Sequence, residues 1–296
     1  MLLPDFVTPK QVARAIGVSE SSIKRWCDQG LLEFSRTAGG HRRLSLPRVL
    51  DFLRERQFAV VDPTVLGLPA VCGHGERTDD RSRELYLEAL LVPDDARSRQ
   101  VLFDLYLSGH STREICQDVV APVLHEIGRR WSCGDVEIYQ ERRACEATIR
   151  HLHELRLAVG PPPERAPVAI GGSGPDDHYS VPTTMVELVL RSRGWEASSL
   201  GSGLTFDTLT QALEHVRPTV FWLSVTHLGS PNEFLAGFRQ LWNSARKHNV
   251  ALLAGGQALS ERIRGQLQCT AFCHTLDQLE SAAGTLNPAA ALPRPA

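Results

Sequence analysis

Three modules of different fold class follow one another along the 296 residues: an all-α winged helix-turn-helix, a four-helix bundle, and an α/β doubly wound sheet of five parallel strands. Three observations predict this order. Two short amphipathic segments flank Gly17 near the amino end and lead into a basic turn; four stretches with helical spacing of apolar residues run from Asp80 to about Val159; and from Pro167 onward short apolar runs alternate with amphipathic segments at βα spacing. The expected divisions are 1–57 for the first module, a linker over 58–79, the bundle over 80–160, a Pro-rich hinge over 161–166, the sheet over 167–285, and a disordered Pro/Ala tail over 286–296.

Composition narrows the class of protein. With 42% hydrophobic and 22% charged residues the chain reads as an ordinary globular one, and no apolar run approaches the roughly 20 residues that span a bilayer. Met1-Leu2-Leu3-Pro4-Asp5 has neither the charge nor the apolar core of a leader, so a cytoplasmic chain with no membrane partner is expected. Seven scattered cysteines without CxxC pairs fit reduced thiols; Cys269, Cys273 and His274 read as core packing, and Cys72 with His74 as an incidental loop pair. The net charge of -2 hides an asymmetry: residues 1–57 carry ten Lys/Arg against six Asp/Glu, leaving that segment at +4 and the remainder at −6. An anionic partner is expected at the amino end.

In the first module Thr8-Pro9 is a helix start, with a hydroxyl at the N-cap and proline at the first helical position. Gly17 ends that helix and Ser19 caps a second one through Ile23, Lys24, Arg25 and Trp26, the helix that would enter a major groove. Arg36-Thr37-Ala38-Gly39-Gly40-His41-Arg42-Arg43 reads as a tight turn between short strands, and Pro47 to Phe58 as a further helix. With Gly30-Leu31-Leu32 in between, this order resembles the MerR family of winged-helix regulators over about residues 5–57. The partner expected is a double-stranded DNA operator. Lys24, Arg25, Arg42 and Arg43 are expected mostly on phosphates, Ser21, Ser22 and Lys24 are placed to approach base edges, and Arg36 and His41 complete the DNA-binding set.

The bundle is predicted from Leu85, Leu87, Ala89 and Leu90, then from Asp95 to Ser108, from a capping box at Ser111-Thr112-Arg113-Glu114 through Trp131, and from Asp135 to Leu157. Trp131 at one helix end with Glu141 ten residues later resembles the cap module of B12-dependent methionine synthase and the light-sensing MerR-type repressors of the CarH/LitR group. In that group the tryptophan and the glutamate cover the upper face of adenosylcobalamin. Two positions depart: Arg142 stands where the group has histidine, and Ser132 where some members carry a histidine that takes the cobalt after light breaks the carbon–cobalt bond.

In the sheet the first strand is expected over 167–170, followed by a turn from Gly171 to His178. Ligands on such sheets bind beyond the carboxyl ends of the strands, where the loops here hold Asp176-Asp177-His178, Ser224-Val225-Thr226 and Gly255-Gly256. An imidazole beside a carboxylate is a metal-ligand arrangement. The set resembles the Rossmann-like cobalamin-binding domains of methionine synthase and the mutases. That resemblance implies His178 as lower cobalt ligand, Asp176 as its orienting group, Ser224 against a buried dimethylbenzimidazole tail, and Gly255 and Gly256 where backbone approaches the tail, with Thr226 of the Ser-x-Thr motif among the cofactor-binding residues. Val181 replaces the motif's glycine with a β-branched side chain.

The expected function is a DNA-binding transcriptional repressor, not an enzyme, sensing light or a tetrapyrrole between bundle and sheet and working as a homo-oligomer, dimer or tetramer. Adenosylcobalamin is the first candidate ligand. A bilin or haem, to whose propionate Arg142 would pair, stays open beside it, as does loss of the ligand. A cobalamin-dependent enzyme would need a substrate domain that these modules do not supply.

Overall fold

Thr8 starts the first helix by a reciprocal cap: its hydroxyl accepts from the Gln11 backbone N–H at 3.3 Å, while Gln11 Oε1 accepts from the Thr8 N–H at 2.9 Å. The computed structural model describes residues 3–70 and 79–286. Cys72, His74 and residues 287–296 of the expected tail lie outside the described residues. Within them the chain forms two compact units, divided after Gly160.

Unit 1 opens with β1 (Phe6–Val7) and α1 (Pro9–Ala15). Gly17, at φ 70°, turns the chain, and Ser19 caps α2 (Glu20–Asp28), accepting from Ser22 N–H at 3.1 Å. β2 (Ser35–Arg36) and β3 (Arg42–Ser45) make an antiparallel wing, and α3 (Leu46–Glu55) follows. β1 pairs antiparallel with the other edge of β3, a strand too short to show in the sequence pattern. Val12, Ile23, Leu44, Leu46, Val49, Leu50 and Leu53 are each buried, at about 1.5–3 kcal/mol per large side chain. Residues 58–70, expected as linker, pack back on the module: Val61 N–H donates to the Ala15 carbonyl at 2.7 Å, Gln11 Nε2 to that of Val65 at 3.0 Å, and Leu66 and Leu68 are buried.

The bundle comprises α4 (Asp79–Leu91), α5 (Asp95–Leu107), a third helical rod and α8 (Ile138–Val159). The rod is not the single α-helix expected from Ser111 to Trp131. It runs as α6 (Thr112–Glu114), a π-helical turn over Ile115–Val120, and α7 (Ala121–Ser132). Pro122 supplies the reason. It has no N–H for the Asp118 carbonyl, and Arg83 Nε donates to that carbonyl instead.

Unit 2 alternates strictly: β4 (Val168–Ser173), α9 (Val181–Ser192), β5 (Glu196–Ser199), α10 (Phe206–Val216), β6 (Val220–Ser224), α11 (Pro231–Lys247), β7 (Ala251–Gly255), α12 (Glu261–Arg264), β8 (Ala271–Cys273) and α13 (Leu276–Leu286). The strands are parallel in the order β5-β4-β6-β7-β8. Phe221, Leu223, Leu252 and Ala254 pack toward α10 and α11, and Ala169, Trp222 and Leu253 toward α9 and α13. Strand order reverses between β4 and β6, so their carboxyl ends flank the crevice of a doubly wound sheet. Gly171, Gly172 and Ser173 belong to β4, not to the expected turn. Both glycines are in close contact with neighbours: a Cβ on Gly171 would lie 2.4 Å from the Trp222 ring, and one on Gly172 2.7 Å from the Gly201 carbonyl oxygen.

One buried group in the bundle carries a pH signature. His151 on α8 is 1% exposed, neither ring nitrogen is hydrogen-bonded, and Asp95 Oδ1 lies 3.5 Å from Nε2. Burial pushes its pKa down to about 4, against the opposing pull of Asp95. The unfolded chain binds this proton near pH 6.5 and the folded chain only near 4. The stability linked to the neutral ring is therefore whole above 6.5 and lost as pH falls through that window, about 3 kcal/mol in total. Urea unfolding of wild type and His151→Leu from pH 7.5 to 4 should show a steeper loss in the wild type; parallel curves would contradict it.

Candidate functional site

The residues expected at DNA lie on α2 and the wing. Ser21, Lys24, Arg25, Arg36, His41 and Arg43 are exposed and Ser22 is half-buried. Ser19 Oγ stands 2.8 Å from Ser21 Oγ and 2.9 Å from Ser22 Oγ, so both hydroxyls belong to the helix cap, and Lys24 Nζ pairs with Glu20 at 2.7 Å. At the wing tip Gly40, φ 77°, donates its N–H to the Thr37 carbonyl at 2.8 Å, and Arg36 Nη1 donates to the Gly40 carbonyl at 3.3 Å. Arg42 differs from its neighbour. Its Nη1 donates to the Lys24 carbonyl at 2.7 Å, its Nη2 to Asp28 Oδ1 at 2.6 Å, and its guanidinium lies 4.8 Å from the centre of the Phe34 ring. It ties wing to α2. Arg25, His41 and Arg43 have no side-chain partner among the described residues and are available to phosphates.

On the bundle, the short α7–α8 connection puts Trp131, in the last turn of α7, at the same end as Glu141, in the first turn of α8. Trp131 is 44% exposed, and Ile138 and Tyr139 stand exposed beside the same connection. Glu141 is buried, accepting from Cys145 Sγ at 3.4 Å and lying 3.5 Å from Arg142 Nε. Burial and then the Glu141 charge push the Cys145 thiol up to about 12. Arg142 is thus already engaged with a carboxylate of its own chain, and Ser132 Oγ donates to the Arg129 carbonyl at 2.8 Å.

In unit 2 the carboxylate that organises the loops is Asp177, which sequence reasoning passed over in favour of Asp176. Asp177 is 1% exposed and accepts from Thr226 N–H and Thr226 Oγ1, both at 2.6 Å, and from His227 N–H at 3.3 Å. It joins the loop after β4 to the loop after β6. Thr226 is spent on this bond. Asp176, at φ 62°, makes no hydrogen bond to His178; its carboxylate packs on Gly229, where a Cβ would come within 2.3 Å of Oδ2. His178 is exposed and makes no side-chain hydrogen bond among the described residues, and its Nδ1 edge rests against Gly203. The adjacent Asp-Asp in the sequence was the available signal, since only one of the two carboxylates can turn inward.

Ser224 is buried at the end of β6, and Gly255 and Gly256 close the end of β7. Both glycines are used by the protein itself: a Cβ would lie 2.2 Å from the Cys273 carbonyl oxygen at Gly255 and 2.1 Å from that of Val225 at Gly256, which also has φ 125°. Val181 is 2% exposed at the start of α9. For a corrinoid, the residues present therefore fit in part. On the sheet, the exposed imidazole of His178 suits a flat ring; on the bundle, taken by itself, so does the exposed indole of Trp131. The core on the α9/α13 face of β6 does not suit an inserted nucleotide tail, because the Trp222 indole is packed there. Among the described residues no three His, Cys, Asp or Glu side chains gather to hold a metal, and no helix is long and apolar enough to cross a membrane.

Fold and site together define a helix-turn-helix module joined to a helical bundle and a doubly wound sheet of the corrinoid-protein kind. Residues 6–57 match the family model of a helix-turn-helix domain, and residues 82–155 that of a B12 binding domain. The chain is homologous to two repressors of Myxococcus xanthus. It is 26% identical to the HTH-type transcriptional repressor CarH over 275 residues, 85% of this chain and 91% of CarH, and 22% identical to the repressor CarA over 233 residues, 76% and 78% of the two chains. Among solved structures, the monomethylamine corrinoid protein of Methanosarcina barkeri shares the fold, with a TM-score of 0.57 at 14% identity over 71% of this chain and 100% of that one.

The two wing arginines should separate experimentally. Arg43→Ala is expected to weaken operator binding across sequences and to lower the salt slope by about 1, while leaving thermal stability unchanged. Arg42→Ala should lower stability by about 1–3 kcal/mol through the loss of charged hydrogen bonds, as read by urea unfolding. Equal effects of the two on both measurements would contradict the assignment.

Proposed function

We propose that this chain is a DNA-binding transcriptional repressor that senses a cobalamin-type corrinoid through its bundle, with adenosylcobalamin as the form bound, and that it acts on its operator as a homo-oligomer. The match over residues 82–155 and the repressor relatives support the ligand class and the role, and they favour a regulator over an enzyme. One winged helix reads a short site, so useful affinity comes from two or more copies on repeated half-sites.

The observation that carries the reading is a physical link inside unit 1. Helix α3, the last helix of the DNA-binding module, is docked on the bundle: Arg54 Nη2 donates to the His110 carbonyl at 2.9 Å and the Gly109 carbonyl at 3.5 Å, and its guanidinium lies 4.1 Å from the centre of the Tyr106 ring. A ligand that favours one packing of the bundle over another is thereby connected to the helix behind the DNA reader, and the coupling equals its differential affinity for the two states. Arg142, held against Glu141, gives no support to a propionate-bearing tetrapyrrole.

The test is uptake. Purified protein titrated with adenosylcobalamin in the dark should bind it by absorbance, and operator affinity and gel-filtration volume should change with occupancy; no uptake would sink the ligand assignment. A further change on illumination assigns a light trigger, and its absence a chemical one. Arg54→Ala should leave operator affinity of the free chain within about threefold while shrinking the ligand's effect on it, as expected for a coupling of about 1–3 kcal/mol. An undiminished ligand effect would remove Arg54 from the coupling.

A further inference from the structure

Side chains alternate along β6: Phe221 and Leu223 enter the core under α10 and α11, and Val220 and Trp222 that under α9 and α13. Ser224 therefore returns to the α9/α13 face, two residues beyond Trp222. A group passing beneath Ser224 on that face would meet the Trp222 side chain. Trp222 is 2% exposed. Its ring occupies room left by Gly171, its register partner on β4, where a Cβ would come within 2.4 Å of both Cγ and Cδ2. The indole Nε1 donates to Thr183 Oγ1 at 2.8 Å, and Thr183 Oγ1 stands 3.1 Å from Ser199 Oγ. Val181, at the start of α9, is buried as well.

A glycine opposite a buried tryptophan, with the indole N–H satisfied, is a completed piece of core packing rather than a collapsed pocket. From it, and resting on the corrinoid reading above, we propose that Trp222 is a specificity-determining residue that bars a nucleotide tail from the sheet, so that the chain recognises the corrin ring without gaining affinity from the tail. The ligand class this selects is a flat, amide-rimmed ring whose nucleotide is absent or stays outside the protein. His178, exposed on the loop above, remains available to such a ring, whereas the interior offers the tail no apolar surface to bury.

Two probes with the same ring test this on the full chain: hydroxocobalamin, which carries the nucleotide, and diaquacobinamide, which lacks it, each titrated by corrin absorbance. The wild type should bind cobinamide at least as tightly as cobalamin. Trp222→Gly, checked for folding by circular dichroism, should shift the affinity ratio toward cobalamin by about tenfold or more, as the opened slot lets the tail bury apolar surface. Cobalamin binding to the variant alone supports the plug as well. A wild type that binds cobalamin about tenfold tighter than cobinamide overturns the proposal whether or not the variant folds, as does an unchanged ratio in a folded variant. Uptake of neither corrinoid by either chain, with operator binding intact, is a different failure: it overturns the corrinoid reading itself.

Discussion

A carboxylate buried at the reversal of strand order holds the carboxyl end of the sheet together. Asp177 leaves the carboxyl end of β4 and takes its hydrogen bonds from Thr226 and His227 beyond β6, so the two loops that would frame a crevice are fastened to each other. Removing one partner of such a buried group costs more than the bond is worth, since the other is left unsolvated. Its neighbours follow from it. Tethering Asp177 inward leaves Asp176 on Gly229 and sets His178 outward against Gly203, whose N–H in turn donates to the Asp177 carbonyl at 2.9 Å.

The same end of the sheet is packed by the protein's own groups. Gly171, Gly172, Gly255 and Gly256 all lie where a side chain would strike a neighbour, and in each case that neighbour belongs to the protein: the Trp222 ring, or the carbonyl of Gly201, Cys273 or Val225. Glycine runs at strand ends are often explained by a ligand's close approach. Here packing accounts for them fully, and the exposed imidazole of His178 is left as the loop's own contribution.

In unit 1 the arginines divide by role in a way that charge alone does not reveal. Arg42 fastens the wing to α2 through Asp28 and Phe34, Arg54 fastens α3 to the bundle through two carbonyls and the Tyr106 ring, and Arg43 and Arg25 face outward. A basic segment at +4 thus spends part of its charge on its own geometry. Docking of α3 places the helix-turn-helix module and the bundle in one compact unit.

Local pattern determined the order of modules. Periodicity, the Thr8 and Ser111 caps, the glycine turn at Gly17 and the βα alternation after Pro167 are short-range properties, and each reappears as an element within a few residues of its expected place. The sequence also brought Asp-Asp-His, Ser224 and Gly255-Gly256 to the carboxyl ends of three parallel strands. It did not say which aspartate turns inward, that Trp222 occupies the room left by Gly171, that Pro122 imposes a π turn, or that Arg42 is already paired. Those outcomes depend on which side chains meet across strands and helices far apart in the chain, and packing against such partners is a property that no local spacing records.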